Sequence, residues 1–254
     1  MKDIEAAALR QFSSSSNSTP NQHGQEARMG ILEHLEELRQ RLIRAIIALL
    51  IGAVIGTFLT PMTLEALIAP LGEQPPVALS PTEAPAVFFK VAVIIGVVIA
   101  MPVIIYQIFQ FVRPGLKPQE VRYIILGVPA ASLSFALGVL FAIKVLVPAA
   151  IPFLQGFLSG IVQQLYSIER YISFVGNILL WAGLVFETPL VMYFLAKLGV
   201  VTSEGFSKAR RLVIVGAAAG AAIITPTTDP VNMLLVMGPF LLLYELGILL
   251  ARLA

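Results

Sequence analysis

Six long apolar segments divide this chain, at roughly 43–60, 88–111, 123–146, 172–195, 210–225 and 231–251. A helix needs about 20 apolar residues to cross a hydrocarbon core of ~30 Å. Segments one to four and six meet that length. The fifth has an uninterrupted apolar core of only 13 residues, Leu212–Ile224, which reaches about 20 Å at ~1.5 Å per residue. Pro226 and Pro230 leave little room to lengthen it. Either 210–251 forms a re-entrant hairpin, or the fifth span is short and the bilayer thins around it. The short span is the preferred reading, because the sixth segment is long enough to return. The expected fold is an all-α integral membrane protein with six transmembrane helices.

Composition supports this and excludes other classes. Hydrophobic residues make up 57% of the 254 and charged residues 13%, about half the ~25% usual for soluble domains. Mean hydropathy is +0.88. A soluble enzyme, a disordered chain and a disulfide-stapled domain are all excluded. The absence of cysteine removes Cys nucleophiles, Cys-ligated zinc and redox pairs. His23 and His34, the only histidines, lie near the N-terminus, so a multi-His metal site within the membrane is also excluded. No cofactor is expected. A net charge of +2 is too small to suggest a nucleic-acid partner.

Residues 1–28 are polar, with a serine run at Ser13–Ser16. They cannot bury a core and are expected to form a disordered tail, without the apolar stretch of a cleavable signal peptide. Residues 29–254 then form a single six-helix membrane domain. From Gly30 to Arg44 the pattern is helical: Ile31, Leu35, Leu38 and Leu42 share one face, with Glu33, Glu36, Glu37, Arg39 and Arg41 on the others. Such a helix suits the membrane surface. With six spans both termini share a side. That side holds 14 of the 17 Lys and Arg, and the other only Lys90, Lys144 and Arg170. The positive-inside rule therefore places both termini in the cytoplasm. The first external loop, 61–87, is proline-rich, and the second, 147–171, has an apolar stretch near Phe153–Leu165 suited to the interface. No internal repeat is evident.

Several polar groups stand where hydrocarbon is expected. Glu187 sits 15 residues into the fourth segment, among Trp181, Leu184, Phe186, Pro189 and Leu190. An unpaired acid there costs on the order of 3 kcal/mol and is a functional candidate by default; a hydrogen bond to a neighbouring helix is the structural alternative. Glu245 is expected to snorkel or to pair with Arg252. Asp229 is expected to cap the helix opened by Pro230. Pro102, Pro129, Pro189 and Pro239 lie in or near spans and can kink them, which suits a curved wall with a concave side. The loop Phe111–Glu120, FVRPGLKPQE, is stiffened by Pro114, Gly115 and Pro118, and Glu120 is an acid among its cations. Glu37 and Glu120 each have a local partner at hand, Arg41 and Arg122. Two carboxylates presented together can instead bind a pair of arginines through bidentate, charge-assisted hydrogen bonds.

These residues resemble the TatC family, the polytopic subunit of the twin-arginine protein translocase. The resemblance covers about 29–252 and rests on six strings in order: HLEELRQR at His34–Arg41, SPTEAP at Ser80–Pro85, YQIFQFVRPGLKPQE at Tyr106–Glu120, FETPL at Phe186–Leu190, RRLVIVGAAAGAAIITPTTDP at Arg210–Pro230 and YELGI at Tyr244–Ile248. It implies six helices in a curved, glove-like arrangement in a bacterial inner membrane. It implies a receptor for Arg-Arg signal peptides that works in several copies with TatA-type and TatB-type single-span partners. Transport of folded proteins would be driven by the proton-motive force, with no nucleotide used at this subunit. Carried over by position, Glu37, Arg39, Phe111, Pro114, Leu116 and Glu120 form the peptide-binding surface. Glu187 is the intramembrane acid, and Asn232 and Met233 fall where partner helices dock. Pro70, Pro85 and Asp229 belong to the external loops. Arg113, where the family often has a small neutral residue, and Met233, where a polar amide is expected, depart from the pattern.

Two other classes stay open at this point. A proton-coupled carrier would use Glu187, but the chain lacks repeats and offers only one deep acid. An intramembrane enzyme would need nucleophile or metal motifs, and neither a GxSG-like nor an HExxH-like string occurs.

Overall fold

The structure is a computed structural model that describes residues 22–72, 75–112, 121–156, 161, 165–224 and 230–254. Its regular elements are helices and helical turns: α1 Gln22–Ile68, a 3-10 turn Ala69–Leu71, α2 Glu83–Val112, α3 Val121–Phe141, a π turn Ala142–Leu146, α4 Val147–Gly156, α5 Ile168–Phe186, α6 Thr188–Lys197, α7 Ser203–Ile224 and α8 Pro230–Arg252. An isolated parallel bridge between Val77 and Ser167 is the one strand-like feature among the described residues. The chain divides into two compact units, Met1–Ile43 and Arg44–Ala254. The described part of the first is the opening stretch of α1; everything below on packing concerns the second.

Among the described residues, five helical stretches are long and apolar enough to cross a membrane: Glu33–Leu71, Glu83–Val112, Leu126–Gly156, Ile168–Lys197 and Met233–Arg252. The fifth apolar segment of the sequence is α7, whose first turns carry Glu204, Lys208, Arg210 and Arg211. The third stretch continues ten residues beyond the apolar segment that ends at 146, as α4. It does so through a π turn, in which the Val147 N–H reaches back to the Ala142 carbonyl. The wider turn stands directly ahead of Pro148, which has no N–H to continue an ordinary ladder. Pro61, Pro102, Pro129 and Pro239 all lie inside helices, where neighbouring helices and side chains compensate for missing donors.

Helix α5 is central, packing on α2, α3, α7 and α8. It buries Ile172, Phe174, Val175, Ile178, Leu179 and Ala182 along one broad face, the spacing of a helix stripe. Phe135 of α3 and Val87 and Val91 of α2 complete that core. A smaller cluster joins Met192 of α6 to Tyr244 and Ile248 of α8, with Phe206 and Val213 of α7 against it.

Small residues set the closest crossings, as expected where lipid removes the hydrophobic drive between helices and packing must supply it. A Cβ on Gly96 of α2 would lie 2.6 Å from the Ala53 nitrogen of α1, and one on Gly52 would lie 2.6 Å from the Gly96 carbonyl oxygen. Large apolar side chains point outward instead, such as Phe58 at 81% exposure and Leu242 at 74%.

Candidate functional site

The residues singled out by the sequence fall in three places. In the first unit, α1 carries a line of charges before its apolar run. Arg41 donates from Nε and Nη2 to Glu37 Oε1, the i, i+4 contact read from the sequence. His34 Nδ1 lies 3.7 Å from Glu37 Oε2. Arg39 is the most outward of these, at 70% side-chain exposure, and its Nη1 sits 3.4 Å from both carboxylate oxygens of Glu36. Leu35, Leu38 and Leu42 are exposed along the same helix.

In the second unit, Phe111 is half-buried in the last turn of α2. Arg113, Pro114, Leu116 and Glu120 lie outside the described residues, as does Asp229. Pro230 opens α8, where the sequence put it. Asn232 follows on α8 with its side chain outside the description, and Met233 is half-buried. Pro70 stands in the 3-10 turn that ends the first span, and Pro85 is exposed in the first turn of α2.

Glu187 occupies a break. The fourth apolar segment forms two helices, α5 ending at Phe186 and α6 starting at Thr188, and Glu187 is the residue between them. Pro189, in the first turn of α6, has no N–H to give back to α5. The Glu187 N–H bonds the Leu184 carbonyl at 3.1 Å, a tightened turn. Ser134 Oγ of α3 donates to the Phe186 carbonyl at 2.7 Å. The Glu187 Oε1 atom is buried and has no hydrogen-bond partner. A buried, unsatisfied carboxylate oxygen in a membrane segment costs energy and is an acceptor available to an incoming donor. Gln107 Oε1, on α2, is in the same position; the sequence reading did not single it out, and only its place within an apolar run hints at it.

The sequence also misplaced one partner. Glu245 pairs with Arg210 of α7, Nη2 to Oε2 at 2.7 Å, and not with Arg252. The Tyr244 hydroxyl donates to the Phe206 carbonyl at 2.8 Å, a second tie between α7 and α8.

A further cluster, missed as a unit, joins the loop before α2 to the start of α5. Glu83 is 8% exposed, and its Oε2 accepts from the Leu79 N–H and from Ser167 Oγ, both at 3.2 Å. Beside it Val77 pairs with both Tyr166 and Ile168 through its backbone. The Tyr171 hydroxyl donates to the Leu67 carbonyl at 2.7 Å, and Lys90 Nζ to Ser173 Oγ at 2.7 Å. Among the described residues no cluster of His, Cys, Asp and Glu is suited to a metal ion.

Comparison with known proteins agrees with this arrangement. The family model for the Sec-independent protein translocase protein TatC matches residues 33–239. The chain is 37% identical to the TatC protein of Carboxydothermus hydrogenoformans, over 88% of this chain and 93% of that one. It is 40% identical to TatC of Aquifex aeolicus, over 89% and 96%. A crystal structure of the twin-arginine translocase receptor TatC superposes with a TM-score of 0.79 at 40% identity, covering 87% of this chain and 98% of that chain. These are non-enzymatic proteins of membrane transport, and the chain belongs to the TatC family of Sec-independent protein translocase proteins.

Proposed function

We propose that this protein is the signal-peptide receptor of a twin-arginine translocase, seated in a bacterial inner membrane with both termini in the cytoplasm. The observation that carries this reading is the 40% identity and near-complete overlap with a structure of the twin-arginine translocase receptor. The sidedness is supported by 14 of 17 Lys and Arg falling on one side of six spans. In this reading residues 1–28 are a tail and 29–254 a single membrane domain.

Recognition would be an exchange of partners. The Glu37 carboxylate is held by Arg41, so a peptide arginine must compete with an existing ion pair. A guanidinium does this best, because its planar fork satisfies both carboxylate oxygens at once, whereas a lysine ammonium cannot. Glu120 is the second acceptor. Phe111 packs beside the arginine stems, Pro114 and Leu116 shape the loop, and Arg39 completes the charged surface. Glu187 then offers its unpartnered oxygen to a donor arriving within the membrane. Asn232 and Met233 contribute to docking of TatA-type and TatB-type helices, while Pro70, Pro85 and Asp229 stiffen the external loops. Export is driven by the proton-motive force, with several copies of the chain in the complex.

A binding titration of the detergent-purified protein with a labelled twin-arginine peptide tests this, with a twin-lysine peptide and Glu120→Ala protein as controls. Binding that requires both the arginines and Glu120 is expected. Equal binding of the two peptides, or the same affinity in Glu120→Ala, overturns the assignment of this surface.

A further inference from the structure

Helix α7 carries three cations in its first turns, and the structure separates them. Arg210 turns towards α8 and is engaged by Glu245 at 2.7 Å. Lys208 and Arg211 are exposed, and neither belongs to an ion pair found among the described residues. Glu204, one turn earlier and also exposed, pairs with neither of them.

At 3.6 residues per turn, Lys208, Arg211, Leu212, Val215, Ala219 and Ala222 fall on one side of α7. All six are exposed, with Leu212 at 76% and Val215 at 66%. The opposite side of α7, with Val213, Ala217 and Gly220, lines an apolar cavity of about 340 Å³ shared with α3, α5 and α8. The outer stripe is thus separate from that cavity. It consists of two cations with no ion-pair partner among the described residues, followed by apolar surface that runs about 16 Å down the helix from Arg211 at ~1.5 Å per residue.

We propose that Lys208 and Arg211 form a binding site for an anionic phospholipid. The two cations hold the headgroup phosphate, and an acyl chain lies along Leu212 and Val215. The argument is charge complementarity at a fixed depth. Apolar surface places the stripe against lipid chains, and the cations directly above it then stand at the phosphate level. A guanidinium grips a phosphate bidentately and the ammonium adds a second point charge. A zwitterionic headgroup offsets much of that attraction with its own cation. The proposal rests on α7 being a membrane span.

The site is tested by fluorescence quenching of the full-length protein in vesicles. Trp181 is the single tryptophan, so Trp181→Phe gives a silent background, and Val215→Trp places a reporter on the exposed stripe. Brominated phosphatidylglycerol is titrated against brominated phosphatidylcholine. About thirtyfold preference for the anionic lipid is expected, the scale for two cations near a membrane surface, and it should weaken with salt. Lys208→Gln with Arg211→Gln should reduce the preference to under about twofold. A reporter at Leu242→Trp, exposed on α8, should show no preference. Equal quenching by both lipids at position 215, or a preference that survives the double substitution, overturns the site. Quenching by neither lipid overturns both the site and the span beneath it. None of these outcomes reads export, so they stand apart from the receptor assignment.

Discussion

The Ser134 hydroxyl of α3 donates a 2.7 Å hydrogen bond to the Phe186 carbonyl, the last residue of α5. A helix that stops within a membrane segment leaves carbonyls that water cannot reach, and each needs a donor from elsewhere. Ser134 supplies one at the break that Pro189 and Glu187 create. Ser134→Ala should therefore lower stability by about 0.6 kcal/mol, and by no more than ~1.7, the range found for such bonds in membranes. Thermal unfolding in detergent measures this. An unchanged midpoint would mean the carbonyl finds a full substitute within its own helix.

Glu187, at the same break, leaves Oε1 buried without a partner. Evolutionary cost aside, the physical cost of such an oxygen means its removal should not unfold the protein. Glu187→Ala is expected to match the parent in thermal stability and in binding a signal peptide at the cytoplasmic surface, while export into membrane vesicles fails. Normal export by this variant would return Glu187 to a purely structural role.

The crossing of α1 over α2 leaves no space for a side chain. A Cβ on Gly96 would stand 2.6 Å from the Ala53 nitrogen and 2.8 Å from its Cα, both rigid backbone atoms. Gly96→Ala should cost about 1–3 kcal/mol, the scale of overpacking. Gly216→Ala on α7 is the matched control, since nothing lies within 4 Å of its Cβ position. Denaturant midpoints of the two variants should separate clearly; coincident midpoints would show that α1 shifts without penalty.

Arg210 and Glu245 are each about half exposed, at 45% and 51%. A pair so open to solvent should couple by about 0.2–1 kcal/mol. A double-mutant cycle with Arg210→Gln and Glu245→Gln should give that value at low salt and nearly nothing at 1 M, where screening acts over ~3 Å. A larger, salt-resistant coupling would indicate burial of the pair by a partner or by lipid.

Much of the fold was legible because each helix is written in its own segment. The apolar runs give the helices, Pro230 gives the start of α8, and Glu37 with Arg41 gives a contact four residues apart. What was not legible depends on partners far along the chain. Glu245 was read against Arg252, seven residues on, because only helical neighbours are visible in a sequence; its partner Arg210 is brought in by the packing of α7 on α8. Pro189 marked a kink, yet the donor that satisfies the Phe186 carbonyl beside it is Ser134, 52 residues away. Glu83 stands in the proline-rich stretch 61–87, and its partner Ser167, 84 residues away, is supplied only by the fold.

That contact gives the last prediction. Glu83 is nearly buried, and one oxygen accepts from both the Leu79 N–H and the Ser167 hydroxyl, so it holds the loop before α2 against the start of α5. Glu83→Ala leaves two donors without their acceptor in a site with little water, a loss of about 1–3 kcal/mol. Glu83→Gln keeps a carbonyl oxygen that can serve as acceptor, and should fall between Ala and the parent. Proteolytic cleavage within these two loops should follow the same order, fastest in Glu83→Ala, because the loops then part more often. If both variants resist the protease as the parent does, the backbone pairing of Val77 with Tyr166 and Ile168 holds the loops without the carboxylate.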